Sequence, residues 1–181
     1  LPQPEYDAAR VQALVPELST ALVASGFTRV ALAAAGVTTE EARVPGAPAD
    51  RTRPVQRFDV SASYFSVLDI PVVAGRSFTD ADRNRGLVVV NEAFARLFWG
   101  GDDAVGRAFV AGDRALEVIG VARDARLLGL DPAPPIYFQP LTGPRGPLFP
   151  ALLVRRQSTD TEDLSALIKR VAAQRTVLMV E

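Results

Sequence analysis

The stretch that most restricts the fold of this chain is residues 86–90, which read GLVVV and carry no polar side chain. A run of five apolar residues with three valines is too short for a buried helix and is typical of a buried strand. The next residues, 91–99, place Phe94, Leu97 and Phe98 on one face at helical spacing, which predicts a helix. A strand that passes directly into an amphipathic helix indicates a mixed core, so the predicted fold class is α+β.

Asn91 and Glu92 stand at the junction of this strand and helix, where a polar pair could mark either a helix start or a catalytic site. Asparagine is a favoured N-cap residue because its side chain accepts a hydrogen bond from a free backbone N–H, and a glutamate in the first turn suits the helix dipole. Gly100 and Gly101 then end the helix. We expect Asn91→Ala to cost about 1 kcal/mol through the lost cap and to remove no chemistry.

The remaining apolar residues fall in short runs between glycines and prolines, which predicts many short elements. The predicted helices are residues 6–25, one or two turns within 61–70 that are capped by Ser61 or Ser63, and a segment that begins at Thr159. The predicted strands are 27–35, 55–60, 71–75, 136–140, 151–156 and 177–180, with a hairpin at 106–122. Residues 43–54 and 139–150 are rich in proline and glycine and are predicted to be connectors.

The composition excludes several kinds of chemistry. The 181 residues include no cysteine and no histidine, which removes disulfides, thiol nucleophiles, histidine-based triads and zinc sites built on those side chains. The formal net charge is −1, so no excess of positive charge points to a nucleic-acid partner. No segment approaches the run of about 20 apolar residues that spans a bilayer. We expect the chain to be cut from a longer protein.

Motifs that carry catalysis or bind ions fail on closer comparison. Residues 80–86 resemble the start of a calcium loop, but Arg85 and Asn91 stand where the EF-hand needs glycine and glutamate. The glycines of residues 100–107 follow a helix instead of a strand and lack the lysine of a phosphate loop. Carboxylate pairs occur in predicted turns and loops: Asp102 with Asp103, Asp80 with Asp82, and Glu40 with Glu41. We therefore predict no catalytic residues, no cofactor and no metal, and we do not expect an enzyme.

Three segments in a fixed order carry a family resemblance. They are residues 60–83, 88–107 and 117–140, and together they resemble the MacB-like periplasmic core domain, which is found in ABC transporter permeases of the MacB and FtsX type. The residues that match the family pattern are signatures of a fold and not of catalysis. These signature residues are Tyr64, Phe65, Gly75, Arg76, Asn91, Glu92, Phe98, Trp99, Gly106, Gly120, Asp124 and Tyr137.

The resemblance implies a place and a role for the chain. Such domains lie in the periplasm, outside the bacterial cytoplasmic membrane, anchored by flanking transmembrane helices that are absent from this chain. The implied partners are those helices, the ATPase domain or subunit of the same transporter, a second permease copy and a periplasmic adaptor. ATP-driven movement would pass through this domain to export or to envelope proteins. The implied architecture has two lobes: a porter-like α/β lobe of strand–helix–strand units from residues 1–57 and 143–181, and an inserted, strand-rich core lobe from residues 58–142.

Two other functions stay open on the residues alone. A soluble periplasmic module of the same fold that binds a ligand or a peptide would need a deep apolar pocket with a few polar groups. An enzyme that uses only Asp, Glu, Ser, Tyr or Arg would need clustered carboxylates with perturbed pKa values in a cleft.

Overall fold

The structure, a computed structural model, describes residues 17–18, 20–25, 27, 29–34, 37–48, 51–101, 103–125, 132–141, 150–155 and 166. Helix α1 contains the described residues 17–18 and 20–24, α2 spans Tyr64–Val67 and α3 spans Glu92–Trp99. A 3-10 helix covers Asp80–Asp82. The strands are β1 (Val30–Ala34), β2 (Thr38–Arg43), β3 (Arg53–Val60), β4 (Val72–Gly75), β5 (Leu87–Asn91), β6 (Ala108–Ala111), β7 (Arg114–Ala122), β8 (Ile136–Pro140) and β9 (Pro150–Val154).

Within the described residues, the strands form one sheet that closes on itself. The order is β2-β6-β7-β5-β8-β3-β1-β9, and β4 pairs with β7 beside this path. Because β2 also pairs with β3, the strands β2, β6, β7, β5, β8 and β3 form a ring, which we call the barrel. The β5–β7 and β3–β8 pairings are parallel and the other pairings are antiparallel. Closure pairs the strand edges that an open sheet would expose.

The inward face of the barrel has an apolar part and a polar part. Residues directly opposite each other on paired strands share a face, so the pairing registers identify the inward side chains. The apolar part consists of Ala42, Val55, Val88, Val90, Phe109, Ala111, Leu116 and Val118. Helix α3 packs against it through Phe94, which is fully buried and lies 4.8 Å from Phe109 between ring centroids. The polar part consists of Glu40, Arg57, Asp59, Arg114 and Gln139, with Tyr137 at its boundary.

A second core lies on the outward face of the barrel strands, under α2. Tyr64 and Phe65 of this helix pack on Phe138 of β8, with ring centroids 5.9 Å and 5.0 Å away. Phe58 and Phe78 complete the aromatic group. Burial of this many rings supplies much of the apolar area that stabilises a domain of this size.

The strands β1 and β9 lie outside the barrel and, with α1, form what we call the terminal unit. They pair antiparallel at five consecutive positions, from Val30 opposite Val154 to Ala34 opposite Pro150. Leu22 of α1 packs with Phe27 and Val30 against this pair. The terminal unit joins the barrel through β1, which meets β3 at one registered position, Ala33 opposite Val60.

Most of the predicted central elements are confirmed. Strand β5, helix α3 and the hairpin of β6 and β7 fall where the apolar patterns predicted them. Strand β2 was missed, because four of its six residues are threonine or glutamate. Neighbouring strands, not an apolar pattern, hold it in the sheet. Strand β3 also begins at Arg53, inside the predicted connector 43–54.

Several predictions fall outside the described residues. They are the first part of the helix at 6–25, the strand at 177–180, almost all of the helix that begins at Thr159, and most of the connector at 139–150. The fold that is described is a mixed one, with many strands and few helices. None of its helices is long and apolar enough to cross a membrane.

Candidate functional site

The three signature glycines lie close to where β4 pairs with β7. Gly75 has a positive φ of 66°, and the amide of the next residue, Arg76, donates to the carbonyl of Ile119 at 2.9 Å. A Cβ on Gly75 would overlap that carbonyl oxygen, and a Cβ on Gly120 would overlap the carbonyl oxygen of Arg76, both well inside 3.0 Å. Gly106 lies nearby, since its amide donates to Val118 at 2.7 Å. The two backbones can approach this closely only because neither glycine has a side chain.

Arg76 and Asp82 form a two-pronged ion pair beside this contact. The Nη1 and Nη2 atoms of Arg76 donate to the two carboxylate oxygens of Asp82 at 2.7 Å and 3.0 Å. The amide and hydroxyl of Thr79 donate to Asp82 Oδ2 at 2.8 Å and 3.0 Å, which caps the 3-10 helix. The Arg76 guanidinium, followed by the Thr79 amide, holds the pKa of the buried Asp82 carboxyl well below its usual range. This arrangement fixes the loop that follows β4.

We expect Asp82→Asn to destabilise the domain at neutral pH. We also expect the free energy of unfolding of this variant to fall less than that of wild type as the pH is lowered. The folded-state pKa of Asp82 lies below the unfolded value of about 3.9, so the unfolded state binds more protons as pH falls. The stability that ionised Asp82 contributes is therefore fully present above about pH 3.9, and it is lost as the pH falls from there toward the folded-state pKa. Urea unfolding of both proteins from neutral pH to about pH 3 should show the gap narrowing in acid.

The matched control is Asp80→Asn in the same turn. Asp80 is exposed and pairs with Arg83 at 2.5 Å, an exposed surface pair that contributes little net stability. A gap between wild type and Asp82→Asn that stayed constant over this pH range would contradict the assignment.

The junction of β5 and α3 is a closed hydrogen-bond group, in which the side chains of Asn91, Glu92 and Asp124 all accept from backbone amides. Asn91 caps the helix as predicted, because its Oδ1 accepts from the amide of Phe94 at 3.0 Å. Glu92 accepts from the amide of Asp124 at 3.1 Å, and Asp124 accepts from the amide of Ala93 at 2.9 Å. Each of these two signature acids thus accepts a hydrogen bond from the backbone of the segment that carries the other. Their contacts attach the N-terminus of α3 to the loop after β7, where a negative charge also suits the helix dipole.

The aromatic signature residues fall into two groups. Tyr64 and Phe65 are buried in the core under α2, and burial raises the pKa of Tyr64 to about 12. Phe98 and Trp99 lie half-buried at the end of α3, with Phe98 packed on Phe94 at 4.7 Å. Arg107 stands over the Trp99 ring at 6.0 Å. The structure therefore does not place these aromatic residues around a single ligand pocket.

A polar network inside the barrel was not predicted from the sequence. Glu40 accepts hydrogen bonds at both carboxylate oxygens: Oε1 from Arg57 at 2.5 Å, and Oε2 from the Tyr137 hydroxyl at 2.5 Å and from Arg114 at 2.9 Å. Arg114 also donates to Gln139 at 2.8 Å. The network therefore connects β2, β3, β7 and β8 across the barrel. The sequence feature that could have predicted this network is the every-second-position spacing of Val55, Arg57 and Asp59 in β3. This spacing places the two charged residues on the same face as a buried valine.

Burial shifts two ionisable groups of this network, Tyr137 and Asp59, toward their neutral forms. Burial, followed by the hydrogen bond to Glu40, raises the pKa of Tyr137. Burial also raises the pKa of Asp59, against the attraction of Arg57, whose Nε lies 3.2 Å from Asp59 Oδ1. Glu40, Asp59, Arg57 and Arg114 bring two formal negative and two formal positive charges, so the network attracts neither sign of ligand strongly.

Another cluster joins the terminal unit to the segment after α2. Asp69 accepts from Nη1 of Arg29 at 3.0 Å and from Nη1 of Arg155. Arg29 precedes β1 and Arg155 follows β9, so one carboxylate holds both strands at the same end. Ser61 and Ser63 add three hydrogen bonds to the backbone of β1. Sequence reasoning named none of these ionic residues, because they belong to three separate segments of the chain.

Two of the surface clefts are lined by described residues. The larger, of about 400 Å³, is lined by residues that include Asn84, Arg114, Leu116 and Gln139. The smaller, of about 360 Å³, is lined by Val67, Leu68, Asp69, Leu153, Val154 and Arg155. Both mix polar and apolar walls, and neither is the deep apolar pocket that a ligand-binding module needs. No group of three acidic residues in the described part of the chain could hold a metal ion.

Comparison with known proteins gives the chain its family. The model of the MacB-like periplasmic core domain matches residues 2–174. No curated protein matches significantly.

Solved structures share the fold at low sequence identity. The periplasmic region of MacB from Actinobacillus actinomycetemcomitans has a TM-score of 0.61 and 16% identity over 89% of this chain and 73% of that one. The extracellular domain of the noncanonic ABC-type transporter YknZ from Gram-positive bacteria has a TM-score of 0.62 and 18% identity, over 90% and 83%. A domain of a putative permease from Porphyromonas gingivalis has a TM-score of 0.62 and 17% identity, over 86% and 68%. The chain therefore belongs to the MacB-like periplasmic core domain family and is a periplasmic domain of the MacB-like ABC transporter permeases.

Proposed function

We propose that this domain is a non-catalytic transmitter, which carries ATP-driven movement from the membrane part of a permease to its barrel. The observation that carries the proposal is the pairing of β1 with β9. The chain enters β1 next to Val30 and leaves β9 next to Val154, and these two residues are opposite each other. The Arg155 amide extends the ladder by donating to Arg29 at 3.0 Å. The start of β1 and the end of β9 are thus about 5 Å apart, the spacing of neighbouring strands.

Adjacent ends of β1 and β9 suit a domain that is anchored by transmembrane helices on both sides. Movement of either helix would act on the β1–β9 pair as a unit, because five registered positions hold the strands together. The proposed partners are these helices and the ATPase domain or subunit that moves them. A second permease copy and a periplasmic adaptor are further proposed partners, and both would receive the movement on the periplasmic side.

The terminal unit and the barrel are the two bodies that we propose move relative to each other. One registered pair, Ala33 with Val60, and the bonds of Ser61 and Ser63 join β1 to the barrel side, and Ala31, Ala33 and Leu153 also pack in the core under α2. The pairing of β2 with β3 and β6 supports a start of the inserted body near Thr38 instead of residue 58.

The polar network supports a role without catalysis. Both oxygens of Glu40 already accept hydrogen bonds, and the phenol of Tyr137 is kept neutral by burial. Because Glu40 and Tyr137 have fixed partners, they join strands of the barrel and do not transfer protons readily. Strands joined in this way are what a transmitter needs at its far end.

A distance measurement in the full permease, with its ATPase, tests the proposal. Spin labels at Val23→Cys on α1 and at Asp113→Cys in the β6–β7 turn would report the separation of the two bodies, since both sites are exposed. We expect the distance distribution to shift by several ångströms between the nucleotide-free and ATP-bound states.

A matched pair of labels within the inserted body is the control. Ala81→Cys with Asp113→Cys should give the same distribution in every nucleotide state, since both lie on the barrel side of the link. If the Val23–Asp113 distance also stayed constant in a permease that transports normally, the transmitter role would be wrong.

A further inference from the structure

One carboxylate of the polar network lacks the hydrogen bonds that its neighbour receives. Asp59 lies on β3 and is 8% exposed. Its Oδ1 atom has no hydrogen-bond partner, although the Nε atom of Arg57 lies 3.2 Å away. That Nε–H is also without a partner, so the two charges are close but not aligned for a hydrogen bond. Buried polar atoms are usually paired, which makes this oxygen an exception.

Asp59 competes for positive charge with the carboxylate of Glu40. The charged and titratable groups of the network around Asp59, with the amide that bonds it, are Arg57 on β3, Glu40 on β2, Arg114 on β7, and Tyr137 and Gln139 on β8. Both arginines donate to Glu40, at 2.5 Å and 2.9 Å. Burial opposes the ionised form of Asp59 more than Arg57 and the hydrogen bond from Gln139 favour it, so the pKa of Asp59 is raised.

The larger surface cleft gives protons a route to this carboxylate. The cleft has a volume of about 400 Å³, and Arg114 and Gln139 belong to its lining. Gln139 is directly opposite Asp59 in the β3–β8 register, so the two side chains lie on the same face of the sheet. Asp59 is therefore next to a residue that contacts the cleft.

We propose that Asp59 is a proton-binding site inside the barrel, which takes up a proton as its surroundings become acidic. The proton adds to the carboxylate and forms a neutral carboxylic acid, while both arginines keep Glu40 as their hydrogen-bond partner. Protonation removes the cost of burying an ionised carboxylate, so the folded state gains stability relative to the unfolded state. The inference concerns the barrel alone and does not depend on the transmitter role.

Urea unfolding of wild type and Asp59→Asn between neutral pH and about pH 4 tests the site. The folded-state pKa of Asp59 lies above the unfolded value of about 3.9. The stability gained by protonation is therefore fully present below about pH 3.9 and is lost as the pH rises through the folded-state pKa. Because asparagine stays neutral, we expect the urea midpoint of wild type to rise relative to that of Asp59→Asn as the pH falls.

Two other aspartates serve as controls for this measurement. Asp82→Asn should give the opposite sign, since wild type loses its advantage over that variant below about pH 3.9. Asp80→Asn changes an exposed surface pair and should keep a constant difference from wild type between neutral pH and about pH 4.

Carbon NMR titration of the Asp59 carboxyl in the wild-type chain is a second readout, which does not require the variant to fold. We expect this carboxyl to titrate above the ordinary value of about 3.9, and the Asp82 carboxyl to titrate below it. A titration of Asp59 at or below about pH 3.9 would overturn the proposal. A midpoint difference between wild type and a folded Asp59→Asn variant that did not change with pH would also overturn it.

Discussion

Replacing Gly120 by alanine is expected to destabilise the domain by about 3 kcal/mol, the upper range for a forced overpacking. The new methyl group would overlap the carbonyl oxygen of Arg76, which is backbone and cannot move aside as a flexible side chain would. Relief requires β4 to move away from β7, and that movement breaks the hydrogen bond from Arg76 to Ile119. Urea unfolding should show a lower midpoint with an unchanged m-value.

Gly75→Ala tests the other side of the same contact and carries a second penalty. Its methyl group would overlap the Ile119 oxygen, and its φ of 66° adds about 1–2 kcal/mol for a left-handed alanine. Gly112→Ala is the matched control, because Gly112 has a φ of 60° and open space around it. The difference between the two variants therefore isolates the backbone overlap.

A result in which Gly75→Ala and Gly112→Ala cost the same would refute the close contact of β4 and β7. In that case conformational strain alone would explain the requirement for glycine. We expect the Gly75 variant to be the less stable of the two by more than 1 kcal/mol, about the smallest cost of overpacking a filled site. This contact also orients Arg76 toward Asp82, so both glycine variants should weaken the acid dependence that Asp82 provides.

The sequence predicts the elements whose signal is local. Residues 87–91 form a strand because three valines favour it, and Asn91 with Gly100 defines the ends of α3. Strand β2 carries no such signal, because only Ala42 among its six residues is buried. It is held by partners from distant parts of the chain, Arg53 to Arg57 on one side and Val110 to Ala111 on the other.

The candidate sites depend even more on contacts between distant residues. Glu40 and Tyr137 are 97 positions apart, and Asp69 and Arg155 are 86 apart. Each residue alone resembles an ordinary exposed charge or core aromatic, so only the topology reveals the network and the ion cluster. The signature glycines are the opposite case, because the sequence singles them out but does not explain them. Their identity could be predicted from the family resemblance, but the reason for glycine, two backbones in direct contact, required the fold. The family role of the signature residues as a set stays a prediction.

Asn91→Ala is expected to cost about 3 kcal/mol, more than the cap alone, because each buried group left without a partner adds about 1–3 kcal/mol. The structure gives Asn91 three hydrogen bonds. Besides the cap to Phe94, its Oδ1 accepts from the amide of Ile136 at 2.8 Å, and its Nδ2 donates to the carbonyl of Pro134 at 2.9 Å. The side chain is 1% exposed, so water does not easily replace these bonds. The two bonds beyond the cap are the reason that we expect a larger loss than the roughly 1 kcal/mol of a cap alone.

Asn91→Ser separates the two roles of this residue in urea unfolding. Serine can still accept from the amide of Phe94 and cap α3, but its shorter side chain cannot also reach the backbone before β8. We expect Asn91→Ser to recover only about 1 kcal/mol of the loss, since a cap is worth that much. If Asn91→Ala lowered the free energy of unfolding by no more than the value of a cap, the bonds to Pro134 and Ile136 would contribute no stability. If it kept full stability yet stopped transport in the intact permease, Asn91 would have a functional role that its place between β5, α3 and β8 does not explain.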